Sequence, residues 1–193
     1  MSDVEKIKSD LRSLMSEYRY LHCLRVASVA RGLAARYSFD VDKAYATGLV
    51  HDIAKEFSDE RNREIIYQYR MPLYLLDKNY RKMLHADIGA VIAKNIYGFD
   101  EEACHAILSH AIGSVPMGLL DKIIFVADKI EPCKTYEGIE LERRMASHDL
   151  NKTMIMCIEN NHKKLVREKK YIHPKSIEVL NYLKNEENSD VAC

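Results

Sequence analysis

The chain has no CxxC pair, no excess of charge of either sign, no long apolar run and no linker rich in Ser, Gly or Pro. Each absence excludes something. The five cysteines, Cys23, Cys104, Cys133, Cys157 and Cys193, are scattered and odd in number. That argues against a disulfide framework or a zinc ribbon and fits reduced thiols in a cytosol. Lys+Arg 29 balances Asp+Glu 29, whereas a protein that grips a nucleic-acid polymer by its phosphates usually carries a basic excess. A small ligand is therefore expected, and a local basic pocket stays open. Apolar stretches such as "IIFVA" are far shorter than the ~20 residues that cross a bilayer. The start, MSDVEKIKSDLRSLMSEYRY, is charged every few residues, so it is not expected to be a signal peptide. A cytoplasmic protein with no membrane partner is expected. There is no P-loop, GxGxxG or GxSxG.

What is present is helical rhythm. Apolar residues recur at threes and fours over residues 4–18, 24–37, 41–54, 65–69, 84–97, 101–110, 119–130, 141–146, 153–166 and 177–183. No stretch alternates with period two, so strands are not expected. Ser58 and Asp100 suit N-caps, Gly98 suits a helix C-terminus, and Pro174 suits a first helical position. With 47% hydrophobic residues in 193, the expectation is one all-α domain, a bundle of about ten helices spanning 1–193. Its core would run from about 18 to 184, with 185–193 a frayed tail.

The apolar faces carry polar residues that a core does not tolerate alone. His22 opens the second helix, His51 and Asp52 end the third, His85 starts another, His110 ends the next, and Asp128 lies inside "LLDKIIFVADKIEP". A lone histidine on such a face is usually satisfied by a carbonyl. Asp128, however, is mid-helix, where backbone groups are taken, and Lys122 and Lys129 are not placed across one turn from it. A buried carboxylate costs several kcal/mol unless paired. One shared divalent cation would satisfy the whole set. Nitrogen and oxygen donors without thiolate suit Fe, Mn, Ni, Zn or Mg. A carboxylate such as Asp52 can bridge two ions, an arrangement used on phosphate esters.

The ordered set His22, His51-Asp52, His85, His110, Asp128 follows the pattern H…HD…H…H…D of HD-domain metallophosphohydrolases. "YLHCLRVASVA", "GLVHDIAKEF", "LLDKIIFVADKIEP" and "YIHP" are similar to the YqeK family of HD-domain proteins, over roughly residues 20–183. That resemblance implies an all-helical, iron-carrying symmetrical bis(5′-nucleosyl)-tetraphosphatase, which hydrolyses diadenosine tetraphosphate to two ADP. It implies metal ligation by His22, His51, Asp52 and Asp128, with His85 and His110 serving a second metal position or the substrate phosphates. One or two ions are expected, iron foremost, with Mn, Co, Ni or Mg as alternatives. A homodimer is also suggested. Two stretches depart from the family: Lys134 to Gly138 replaces an Arg-Asp-Phe-Pro-Gly segment, and Val179, Leu180 and Asn181 replace Ala-Arg-Asn. Lys134 keeps the charge but not a bidentate fork.

Catalysis is assigned to Asp52 and Lys55, through a metal-activated hydroxide that Asp52 helps to orient. Lys55, one turn beyond His51, would neutralise a substrate phosphate rather than only cover the core. Arg25 either forks onto a phosphate or pairs with a nearby carboxylate. His173 before Pro174 either touches a nucleoside or caps a helix. Substrate contacts are thus expected from His22, Arg25, Asp52, Lys55, His85, His110, Lys134 and His173. His105, His148 and His162 are expected at the surface, and "HKKLVREKK" as a solvated helix face with Leu165 and Val166 on its buried side. Gly48 and Gly89 allow close helix approach or are plain packing. The competing functions are another HD nucleotide phosphohydrolase or phosphodiesterase, a non-catalytic nucleotide sensor, and a helical interaction module that holds no metal.

Overall fold

The computed structural model describes residues 3–77, 80, 81 and 83–190. Ten α-helices follow one another: α1 (Val4–Leu14), α2 (Glu17–Arg36), α3 (Val41–Val50), α4 (Asp59–Gln68), α5 (Leu84–Tyr97), α6 (Glu101–Ser109), α7 (Leu119–Ile130), α8 (Ile139–Ala146), α9 (Leu150–Arg167) and α10 (Pro174–Asp190). A 3₁₀ turn, Leu73–Leu76, precedes α5, and there is no strand among the described residues. No helix among them is long and apolar enough to cross a membrane.

Local chemistry sets most boundaries. Asp3, Ser16, Asp40, Ser58, Asp100 and Asp149 each accept hydrogen bonds from backbone N–H groups in the first turn of the following helix. Gly98 ends α5 in the left-handed region at φ 67°, where a side chain would be strained. Pro174 starts α10.

Three boundaries differ from the periodic pattern. The apolar rhythm of residues 4–18 hides a break at Met15 and Ser16. Glu56, forty residues away, accepts from the Ser16 backbone N–H at 2.7 Å and from its hydroxyl at 2.9 Å. α2 therefore begins at Glu17, and His22 lies in its second turn rather than opening it. α3 stops at Val50, and 51–56 form tight turns in which Ile53 N–H donates to Val50 and Lys55 N–H to Asp52. Ile53 and Ala54 stay buried, so hydrophobicity continues where the helix does not. At the other end α10 continues through Asp190 rather than fraying from residue 185. Glu186 there accepts from Tyr182, Lys122 and Asn151. Residues 191–193 lie outside the described residues.

The helix α7 is central, packing against α2, α3, α6, α8 and α9, and its Ile123, Ile124 and Val126 are fully buried. The α2–α3 interface is the most extensive. It is closest at Gly48, where an added Cβ would lie 2.8 Å from the Ala27 Cα. Together α2, the turn after α3, α5, α6 and α7 bring the six polar residues of the apolar faces to one place.

Candidate metal centre

His22, His51, Asp52, His85 and His110 are all buried, and Asp128 is mostly so. The two oxygens of Asp52 face different neighbours. Oδ2 lies 3.8 Å from His22 Nε2 and 3.7 Å from His51 Nε2. Oδ1 lies 3.3 Å from His85 Nε2 and 3.4 Å from His110 Nε2. Two groups of side chains could therefore hold a metal ion, His22–His51–Asp52 and Asp52–His85–His110, sharing Asp52. Asp128 joins the first, its Oδ1 at 3.2 Å from His22 Nε2 and 3.9 Å from His51 Nε2.

The histidine tautomers decide whether this set fits a cation. His51 Nδ1 lies 2.7 Å from the Gly48 carbonyl, and His110 Nδ1 lies 2.6 Å from the Ile107 carbonyl. A carbonyl only accepts, so both Nδ1 atoms carry the proton and both Nε2 atoms present lone pairs. His22 Nδ1 faces the Glu131 carboxylate at 3.3 Å, which selects the same tautomer. Lys55 Nζ donates to His85 Nε2 at 2.9 Å. His85 Nε2 and His110 Nε2 are then two lone pairs only 3.2 Å apart. Among the described residues, His22 Nε2, His51 Nε2 and Asp52 Oδ1 are buried with no hydrogen-bond partner. Lone pairs converging on one buried point repel unless a cation lies among them, so the donor set fits a divalent metal.

Charge states agree. Burial drives His51 down to about 4, with the facing His110 and His22 adding to it against Asp52 and Asp128. Burial also drives His85 down to about 3, helped by His110 and Lys55. Both rings are neutral ligands at neutral pH. Burial works to raise Asp52, yet its carboxyl stays well below its ordinary range, with the positive charge of Lys55 among the groups that lower it. Burial works in the same sense on Asp128, and the ammonium of Lys129 beside it prevails.

The sequence pattern missed four residues here. Arg19 NH1 donates to Asp52 Oδ2 at 2.7 Å, so a protein cation does pair with one Asp52 oxygen. Lys129 Nζ lies 2.6 Å from Asp128 Oδ2; the pair do not share a helix face, but the long lysine stem curls back to its neighbour. Glu131, buried at 2% exposure, orients His22. Lys170 enters from the loop between α9 and α10. Only Glu131 left a signal, a carboxylate closing an apolar run.

A cavity of about 1000 Å³ opens over the centre. Asp52, Lys55, His85, His110, Asp128, Lys134 and His173 line it, as do Arg19, Lys129 and Lys170. His22 and His51 lie behind its wall. Arg25 does not line it; Arg25 Nε donates to Glu131 at 2.7 Å, so the carboxylate-pairing alternative is the one observed. His173 both lines the cavity and caps α10, its Nδ1 accepting from Lys175 N–H at 3.1 Å. Two assignments outside the site are corrected. Val166 is 65% exposed rather than buried. His162 is half-buried and contacts Ser176 Oγ at 2.8 Å. His105 is exposed, as expected, and its ring meets the buried Asp121 at 2.9 Å.

Residues 19–133 match the HD domain family, and this match spans every residue of the two metal-holding groups. The chain belongs to the YqeK family of HD-domain proteins. It is 34% identical over 180 residues to the symmetrical bis(5′-nucleosyl)-tetraphosphatase of Bacillus subtilis, covering 93% of this chain and 96% of that one. It is 34% identical over 183 residues to the protein of the same name from Staphylococcus aureus, covering 93% and 94%. A crystal structure of a predicted HD superfamily hydrolase involved in NAD metabolism, from Clostridium acetobutylicum, superposes with a TM-score of 0.87 at 36% identity. That superposition covers 96% of this YqeK-family chain and 99% of the other.

Proposed function

We propose that this chain hydrolyses dinucleoside tetraphosphates at the central anhydride, releasing two nucleoside diphosphates in the cytosol, with iron as its native metal. The observation that carries the proposal is the two-sided Asp52, flanked by neutral histidine lone pairs on both sides and set at the floor of a cation-lined cavity. The names of the Bacillus and Staphylococcus relatives support the substrate.

His22, His51, Asp52 and Asp128 would hold one ion, and Asp52, His85 and His110 would hold a second. A divalent metal held there supplies Lewis acidity and an acidified water. The chain's own residues do the rest. Glu131 holds His22 at Nδ1, and the Gly48 and Ile107 carbonyls hold His51 and His110, so each ring keeps its orientation. Arg19, Lys55 and Lys129 sit beside the centre, where charge on phosphoryl oxygens needs to be balanced. Lys55 is already directed by Asp52 Oδ1 at 3.8 Å and His85 Nε2 at 2.9 Å. Lys134 and Lys170 extend the positive lining for a longer phosphate chain, and Tyr171 and His173 present rings to a nucleoside.

The test is chromatographic identification of the products from diadenosine tetraphosphate with iron-, manganese- or cobalt-loaded protein. ADP alone is expected. Equal ATP and AMP would show an asymmetric cut and refute the substrate assignment. Nucleotide binding without turnover would favour a sensor.

A further inference from the structure

We propose that Arg143, on α8 and outside the cavity, is a positioning residue for the metal centre, acting through the turn that carries Glu131. The proposal rests on His22 being a ligand. The helix α7 ends at Ile130, leaving its last carbonyls without partners inside the helix. Arg143 takes three carbonyls in this stretch with one guanidinium. Its Nε donates to Ile130 O at 3.0 Å, and its NH2 donates to Glu131 O at 2.8 Å and Lys134 O at 3.0 Å. The remaining NH1 donates to Glu140 at 2.5 Å, which fixes the plane of the fork. Beside it, the fully buried Glu142 accepts from the Tyr136 hydroxyl and from Asn160. That hydroxyl lies 3.3 Å from the Lys129 carbonyl. Two consecutive residues of α8 thus bracket the backbone from 129 to 134.

The bracketed turn faces the site with two side chains. Glu131 accepts from Arg25 and from its own loop at Cys133 N–H, and meets His22 Nδ1. Lys134 lines the cavity. Three carbonyls held by one planar cation define the position of Glu131 along and across the chain, which a single hydrogen bond would not. Glu131 in turn keeps the His22 proton on Nδ1 and its lone pair on the metal side. Loss of such an outer partner typically lowers metal affinity about 10–100-fold.

A helix C-cap alone would also explain Arg143, and the experiment separates the two roles. Metal affinity is measured by chelator competition, and thermal stability by circular dichroism, for wild type, Arg143→Lys, Arg143→Met, Glu131→Gln and the Arg143→Met/Glu131→Gln double variant. Lysine keeps the charge at the helix end but cannot span three carbonyls. Arg143→Lys should therefore keep most of the stability and still bind metal roughly ten-fold more weakly. Arg143→Met should match Glu131→Gln in affinity, and the double variant should be no weaker than either, because both act through one link. Wild-type affinity in Arg143→Lys, or additive losses in the double variant, would overturn the proposal. Should Arg143→Met fail to fold, Arg143→Lys decides alone. Absence of metal binding by the wild type would instead overturn the metal assignment itself.

Discussion

Replacing Gly48 with alanine should destabilise the protein, while the same change at Gly32 should stabilise it. A Cβ at Gly48 would lie 2.8 Å from Ala27 Cα and 3.1 Å from Ala27 N. Both are main-chain atoms of α2 and cannot swing aside, so α3 must retreat by about 0.6 Å to restore ordinary contact in an interior packed without slack. Overpacking of this kind costs roughly 1–3 kcal/mol. Removing a helical glycine returns about 0.5–1 kcal/mol, which leaves a net loss of about 1 kcal/mol at the middle of the two ranges and about 2.5 kcal/mol at most. For a chain of this size that is a fall in Tm of about 2–4 °C, and about 10 °C at most. Gly32 is exposed with nothing within 4 Å of its added Cβ, so only the propensity gain remains, a rise of about 1–4 °C. The Gly48 change should also weaken metal binding, because the displaced Gly48 carbonyl is the acceptor for His51 Nδ1. Thermal melts of the metal-free proteins, with metal titrations alongside, measure both effects. A Gly48→Ala protein as stable as wild type, or one that melts no lower than Gly32→Ala, would refute the close approach.

Lys55→Ala should retain bound metal and bind ADP about ten- to a hundred-fold more weakly, the size of a lost charge-assisted hydrogen bond; calorimetry with ADP measures it, and equal loss of metal would make Lys55 part of the metal shell. Arg25→Ala, whose guanidinium is engaged by Glu131 outside the cavity, should leave ADP affinity within about two-fold while lowering metal affinity modestly; a large loss of ADP affinity would restore its phosphate role. His162 gives a pH dependence. Burial holds its imidazole below the ordinary value, so the fold favours the neutral ring. Its contribution is present above the unfolded pKa of about 6.5 and is lost as pH falls through the folded value. The Tm difference between wild type and His162→Gln should therefore narrow on acidification from pH 7.5, and a difference that widens would contradict the assignment.

Most helices were legible because their signals are local: a capping oxygen, a three-to-four rhythm, a glycine or proline stop. The misplaced boundaries share a cause. Met15 and Ser16 interrupt an unbroken rhythm because Glu56 holds Ser16 from another part of the chain. Ile53 and Ala54 carry the apolar rhythm past the end of α3 because the turn there is itself buried. The site divides in the same way. His22, His51, Asp52, His85, His110 and Asp128 stood out as polar residues on apolar faces, which one sequence suffices to show. Arg19 did not, since it sits among polar neighbours and gains its place only by reaching Asp52, 33 positions on. Lys170 and Tyr171 reach the cavity through the turn between α9 and α10, which no periodicity encodes. Glu131 was visible in "KIEP", but its contact with His22 spans 109 positions.

Metal analysis of purified wild-type, Asp52→Ala and Asp128→Ala proteins tests the central claim most directly. The wild type should hold at least one divalent ion per chain. Both variants should lose it while keeping wild-type helical circular dichroism, because the apolar core does not depend on either carboxylate. A wild type that hydrolyses diadenosine tetraphosphate in excess chelator while free of metal, or an Asp52→Ala protein with full metal content, would contradict the account.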